Sequence, residues 1–269
     1  MSSPPRQRGR PKSFHSKQAQ NTIQSLDRAI DVLEHLAQHG SQTLTEISTS
    51  MEQSPATIYR VLTTFEARGL VETEGLSQVW AIGPATFRIG SSFLRRTSLV
   101  ERARPAMRSL METTGETANL GIRTGANVIF ISQVETHHSI RAFFPPGTIS
   151  AIHASGIGKA LLSAMSEESV RELLKRSSLE AFTRNTMSDL DALCADLQIS
   201  RDRGFALDDE ERTEGMRCIA APIRDLNGDT VAGVSISGPS HRMKPSVVKE
   251  FGTLVKTVGE NLSSSLGAP

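Results

Sequence analysis

The sequence predicts an α+β protein in two parts, an N-terminal winged helix-turn-helix and a larger C-terminal α/β domain, joined by a linker helix. Three observations predict it. Amphipathic helical stretches are followed at once by two short strand-like runs, within residues 21–83. From Leu99 onward the texture changes to strands interleaved with helices. Finally, residues 1–17 carry Arg6, Arg8, Arg10, Lys12 and Lys17 and no acid, although the whole chain has a net charge of only +1. The expected divisions are a disordered basic arm over 1–20, the winged helix-turn-helix over 21–83, a linker over 84–98 and the larger α/β domain over 99–269.

The elements follow in order. Leu26, Ala29, Ile30, Leu33 and Ala37 recur at helical spacing, and Gly40 stops that helix. A second helix starts at Thr43, where Thr43-x-x-Glu46 fits a capping box. A third starts at Ser54-Pro55, with Ser as cap and Pro at the first helical position. Ile58, Val61, Leu62 and Phe65 form its apolar stripe, and Gly69 ends it. Leu70–Thr73 and Gln78–Ile82 read as the wing around Glu74-Gly75. Pro84 opens the linker helix, with Phe87, Gly90, Phe93 and Leu94 on one side. Beyond it come a helix (Leu99–Thr114), strands (Thr117–Ile122, Val128–Val134) and a Gly-rich turn into a helix (Gly156–Ala164). Helices near Glu167–Lys175 and Asp189–Arg203, strands at Phe205–Asp208, Cys218–Arg224 and Thr230–Ser237, and a helix over Pro245–Ser264 complete the chain.

Composition narrows the function. No run of about 18 apolar residues is present, so no membrane span is expected. The basic N-terminus lacks the apolar core of a signal peptide, which points to the cytoplasm. Cys194 and Cys218 are far apart and have no CxxC partner, so neither a disulfide framework nor a cysteine-based metal site is expected. His137-His138 is no metal pair if it lies on a strand, where neighbours point to opposite faces. No cofactor is expected.

A basic arm ahead of a near-neutral body suggests a polyanion partner, here double-stranded DNA. Opposite the apolar stripe of the third helix lie Ala56, Thr57, Tyr59, Arg60 and Thr63, the face that major-groove readout needs. Arg60 either binds a guanine through two hydrogen bonds or contacts a phosphate. Ser54, Thr57, Tyr59 and Thr63 complete the candidate DNA face. Arg28 in the first helix contacts backbone or forms an ion pair. In the arm, Arg8-Gly9-Arg10-Pro11 has the flat shape and charge that suit a narrow minor groove.

Ser155-Gly156-Ile157-Gly158 leads into a helix. Its free amides and the helix dipole suit an anion, and the bland alternative is a tight strand-to-helix turn. It is not a phosphate-binding GxxxxGK loop, because the first Gly would fall at His153. Ser235 and Ser237 alternate on one strand, so both hydroxyls face the same side.

Several stretches together resemble the isocitrate lyase regulator (IclR) family from about residue 22 to 265. They are Ser25-Leu26-Asp27-Arg28-Ala29, Tyr59-Arg60-Val61-Leu62, Trp80-Ala81-Ile82-Gly83 and His153-Ala154-Ser155-Gly156-Ile157-Gly158-Lys159-Ala160. Arg203-Gly204-Phe205, Asp208-Asp209-Glu210, Gly215-Met216-Arg217-Cys218-Ile219-Ala220 and Ser235-Ile236-Ser237-Gly238-Pro239 complete the set. One departure is Glu52, where the helix-turn-helix turn often has Gly. The resemblance implies a GAF-like effector domain, a homodimer or a dimer of dimers, and promoter binding modulated by a small carboxylic acid. Within the family the chain is similar to the glyoxylate-responsive branch, which includes the allantoin-utilisation repressor and the β-hydroxyaspartate-cycle regulator.

The resemblance carries effector contacts to Ser155, Gly156, Ile157, Asp208, Cys218, Ser235 and Ser237. Asp208 then accepts from a hydroxyl of hydrated glyoxylate, or else serves as a cap or an ion-pair partner of Arg217. Cys218 is a small buried residue or the site of a reversible hemithioacetal. Ala142, Phe143 and Phe144 are candidate walls, and the small Ala142 suggests a roomier pocket. Another 2-oxo acid such as pyruvate is the alternative ligand. The rival class is an enzyme with Cys218 as nucleophile beside Asp208 and His153, which turnover of glyoxylate would reveal. A purely architectural DNA protein would leave the second domain unexplained. The expectation is a regulator and not an enzyme, without a sign for activation or repression.

Overall fold

A computed structural model of the chain describes residues 23–74, 78–96 and 99–268. Arg8 and Arg10 lie outside the described residues. The chain divides into two compact units, the first ending at Phe93 and the second beginning at Leu94.

In the first unit α1 (Gln24–His39), α2 (Leu44–Ser50) and α3 (Pro55–Glu66) pack around Val32, Leu36, Ile47, Ile58, Leu62, Val71 and Trp80. The capping box forms: Thr43 Oγ1 accepts from the Glu46 amide, and the Thr43 amide donates to Glu46 Oε2 at 2.8 Å. Ser54 caps α3 by accepting from the Thr57 amide at 3.2 Å. Strands β2 (Val71–Glu74) and β3 (Val79–Ile82) form the wing, followed by α4 (Pro84–Arg96). A strand not expected from the sequence, β1 (Gln42–Thr43), pairs with β3 to give the order β1-β3-β2. Two residues are too short for any period to register.

One apolar assignment needs correction. α1 turns Val32 and Leu36 to the core, whereas Leu26 and Ile30 are 55% and 44% exposed and Ala37 is exposed. The helix carries two adjoining apolar stripes, and the one facing Ile47, Ile58 and Trp80 is buried. On α4, Phe87 is 78% exposed.

The second unit is one antiparallel sheet of six strands with helices on both faces. Its strands are β4 (Thr117–Thr124), β5 (Asn127–Val134), β6 (Ile149–Ala151), β7 (Ala206–Asp209), β8 (Met216–Arg224) and β9 (Thr230–Pro239). Their order is β6-β5-β4-β9-β8-β7. On one face α5 (Leu99–Thr114) and α9 (Pro245–Ser265) cover Leu120, Ile219, Val234 and Ile236. On the other lie α6 (Gly156–Ser163), α7 (Glu167–Leu174) and α8 (Leu190–Arg203). Every residue of α6 is buried. The side chain of Ile157 enters a socket over the paired Gly121 and Gly233, where added Cβ atoms would come within 3.3 and 2.9 Å of it. The short β6 was not expected, and His137 and His138 lie in the loop after β5 rather than on a strand.

Candidate functional site

The sheet register aligns the predicted sensing residues. Asp208 on β7 pairs with Cys218 on β8, and Cys218 pairs with Ser237 on β9. Three side chains from three strands thus stand in one row on the face that α6 covers. α6 begins directly over this row: a Cβ on Gly156 would lie 2.5 Å from Cys218 Sγ, so only Gly lets the helix start there. Ser155 caps α6 by accepting from the Gly158 amide at 3.4 Å.

These residues wall a small cavity of about 20 Å³, together with Phe130, Phe144, Ser150, Ala154 and Arg212. A volume near that of one water-sized probe means that any organic ligand must move part of the wall. Ser155, Gly156, Asp208, Cys218 and Ser237 meet at the cavity, whereas Ile157 and Ser235 are not in its wall. Ile157 points into the socket described above. The hydroxyl of Ser235, fully buried, lies 3.5 Å from Asn119 Nδ2. Of the other expected wall residues, Phe144 takes part and stacks on Phe130 at 4.8 Å. Ala142 is buried elsewhere and Phe143 is 61% exposed.

Sequence reasoning missed two contributors. Asn119 donates from Nδ2 to Ser237 Oγ at 3.2 Å and accepts from Gln133 Nε2 at 3.0 Å. It therefore orients Ser237, whose hydroxyl also faces Cys218. Arg212 was the other. As the single cation that closes the acidic run Asp208–Glu211, it carried a legible signal.

Electrostatics follow from burial. The Asp208 carboxyl is raised to about 7, first by burial and then by the nearby Glu211 charge. It accepts from the Glu211 amide at 2.8 Å, so its capping role is realised. Its expected pairing with Arg217 is not: Arg217 binds Asp209 at 2.5 Å and Glu210 at 3.7 Å, because alternation on β7 sends Asp209 to the opposite face. The Cys218 thiol is pushed up to about 11 by burial and by Asp208, against the opposing pull of Ser237, Ser235 and the Gly156 amide. A thiol held protonated is a poor nucleophile. His153 is not in the wall of this cavity, and its Nε2 lies 3.0 Å from the Glu180 carbonyl.

A larger cavity of about 310 Å³ lies at the far end of α6. It is remote from the row, and its cations are engaged: Arg201 donates to the Ser163 and Met165 carbonyls, and Arg224 to that of Gly228. The convergent polar groups are at the small cavity.

In the first unit Tyr59 and Arg60 stand exposed on α3, Tyr59 at 52%. Thr57 is half-buried beside the Ser54 cap, and Thr63 donates its hydroxyl to the Tyr59 carbonyl at 3.0 Å. Arg28, Arg60 and Arg68 line an open groove between α1 and α3. None has an ion-pair partner among the described residues, so Arg28 does not form an ion pair there.

Comparison with known proteins accounts for both units. Residues 25–75 match the IclR helix-turn-helix domain, and residues 91–264 match the C-terminal domain of the bacterial transcriptional regulator IclR. The chain is 51% identical to the HTH-type transcriptional regulator BhcR of Paracoccus denitrificans, over 96% of this chain and 94% of that one. It is 38% identical to the transcriptional repressor IclR of Escherichia coli, over 98% and 97% of the two chains. Among solved structures, Thermotoga maritima IclR superimposes with a TM-score of 0.77 at 29% identity, covering 91% of this chain and 99% of that one. The relatives are transcription regulators and not enzymes. The chain belongs to the IclR family of DNA-binding bacterial transcriptional regulators.

Proposed function

We propose that this regulator reads promoter DNA through α3 and the basic arm, and that a small carboxylic acid in the Asp208–Cys218–Ser237 cavity modulates that binding. Glyoxylate is the first candidate, and genes of two-carbon metabolism are the corresponding targets. The observation that carries the sensing half is the row itself: a carboxyl, a thiol and a hydroxyl from three strands, closed by the start of α6. Hydrated glyoxylate has one carboxylate and two hydroxyls. First-turn amides and the positive end of α6 suit the carboxylate. Asp208 and Ser237 offer partners for the hydroxyls. Pyruvate needs room for a further methyl, which makes it the alternative ligand in so small a space.

On the DNA side, Arg28, Ser54, Thr57, Tyr59, Arg60 and Thr63 are the contact set, with Arg8 and Arg10 from the arm in a neighbouring minor groove. The exposed Ile23, Leu26 and Ile30 at the start of α1 favour a second copy of the chain, and paired copies would meet paired half-sites. A dimer or a dimer of dimers in the cytoplasm fits this arrangement. The rival reading, catalysis by Cys218, is opposed by the upward shift of the thiol and by the absence of His153 from the cavity wall.

Thermal unfolding in the presence of glyoxylate, glycolate, oxalate, pyruvate and glycine tests the ligand. A molecule that binds only the folded chain raises the midpoint by mass action. Glyoxylate is expected to raise it, and Ser237→Ala to remove the effect. No shift with glyoxylate overturns the ligand assignment and leaves the DNA-binding assignment intact.

A further inference from the structure

The run from Asp208 to Arg212 assigns every charge but one. Asp209 and Glu210 are taken by Arg217. Glu211 is taken by the fully buried Lys159 at 2.5 Å, and Lys159 also meets Asp196 at 2.9 Å. Asp208 accepts the Glu211 amide. That leaves Arg212. Its half-buried side chain lines the cavity, yet its guanidinium has neither an ion-pair nor a hydrogen-bond partner among the described residues. Its guanidinium carbon sits 3.8 Å above the centroid of the Phe182 ring.

The surroundings fix where this cation can act. Phe182 stacks on His153 at 5.9 Å, and the segment 183–186 is tied across the Asp209–Glu211 backbone. Thr183 Oγ1 donates to the Glu210 carbonyl at 2.7 Å, Asn185 Nδ2 to that of Asp209 at 3.1 Å and Thr186 Oγ1 to that of Glu211 at 2.6 Å. Most of the rest of the wall stands on paired strands and on the start of α6, while Phe144, from the loop before β6, is stacked on Phe130. A long side chain without a polar partner is the part of the wall that moves most easily. Planar guanidinium groups match carboxylates through two parallel hydrogen bonds.

We propose that Arg212 reads the carboxylate of the effector: it swings from the face of Phe182 to admit the ligand and then pairs with its anionic end. It is thereby the residue that makes the site selective for acids over neutral two-carbon carbonyl compounds. The inference rests on the small-acid reading of the cavity given above.

Isothermal titration of the full chain tests it, with glyoxylate, pyruvate and neutral glycolaldehyde as probes and with Arg212→Gln and Arg212→Lys beside the unsubstituted protein. Loss of a charge-assisted pair is expected to weaken glyoxylate binding by about tenfold or more in Arg212→Gln. Glycolaldehyde binding should stay unchanged in that variant, and Arg212→Lys should recover part of the acid affinity. The unfolding midpoint of each variant reports whether it is folded. Equal glyoxylate affinity in Arg212→Gln and the unsubstituted chain overturns the role of Arg212 and leaves the small-acid reading standing. Parallel loss of acid and neutral ligand also overturns it, as that marks a structural role. If pyruvate binds in place of glyoxylate and Arg212→Gln weakens it, Arg212 stands and the glyoxylate assignment falls. If neither acid binds the unsubstituted chain, both fall.

Discussion

Gly156 and Asp208 show how single residues set the properties of the cavity. A methyl on Gly156 would meet Cys218 Sγ at 2.5 Å and Cys218 Cβ at 3.1 Å. Gly156→Ala is therefore expected to destabilise the chain by about 1–3 kcal/mol, the usual range for overpacking. Adding Cys218→Ala should recover part of that loss, and urea denaturation of the single and double variants checks both. Asp208 makes stability depend on pH. Its carboxyl is raised to about 7 when folded, by burial and by Glu211, with Lys159 and the Arg212 amide opposing. Unfolded, it titrates near the ordinary value of about 3.9. Between those values the folded chain holds more protons, so stability falls as pH rises through the window, by at most about 1.4 kcal/mol per pH unit. Asp208→Asn should lack this slope, and identical pH profiles would contradict it. Ser155, Gly156, Cys218 and Ser237 were legible because short motifs carry them. Arg212 was signalled only by its place at the end of the acidic run Asp208–Glu211, and Asn119 was not legible, since only the register of β4 against β9 brings Asn119 under Ser237. Ser235 was legible as a face of the strand but not as a residue behind the wall.

Helices with caps and strands of four or more residues were legible in the sequence, and the two shortest strands were not. Caps announced α2 and α3, and Thr43→Ala is expected to cost about 1 kcal/mol of stability, measured by chemical denaturation. Glu52 shows a local conflict. It adopts φ +52° in the turn between α2 and α3, a region where a side chain costs about 1–2 kcal/mol. Gly also gives back part of that through its freer unfolded chain. Glu52→Gly is therefore expected to raise stability by roughly 0.5 kcal/mol, and a loss would reveal a contact that Glu52 makes. β1 and β6 escaped notice because two or three residues have no readable period, and each exists only as the partner of a longer strand. The α1 stripe was misplaced because two apolar rows adjoin, and only the tertiary partners decide which row is buried.

In the whole molecule, a DNA-reading unit is joined to a unit proposed above to bind a small acid. An effector can shift DNA binding only if it favours one of two states of the regulator, and such couplings usually amount to about 1–3 kcal/mol. The arm adds a sequence-independent part: Arg10→Ala should lower the slope of log affinity against log salt by about one unit. The direct test of the central claim is the affinity of the full chain for duplex DNA enriched by its own binding, measured by fluorescence anisotropy with and without glyoxylate at fixed salt. The account predicts a change of about fivefold or more in the unsubstituted protein and none in Ser237→Ala. Equal affinity with and without glyoxylate, or the same change in Ser237→Ala, would contradict it.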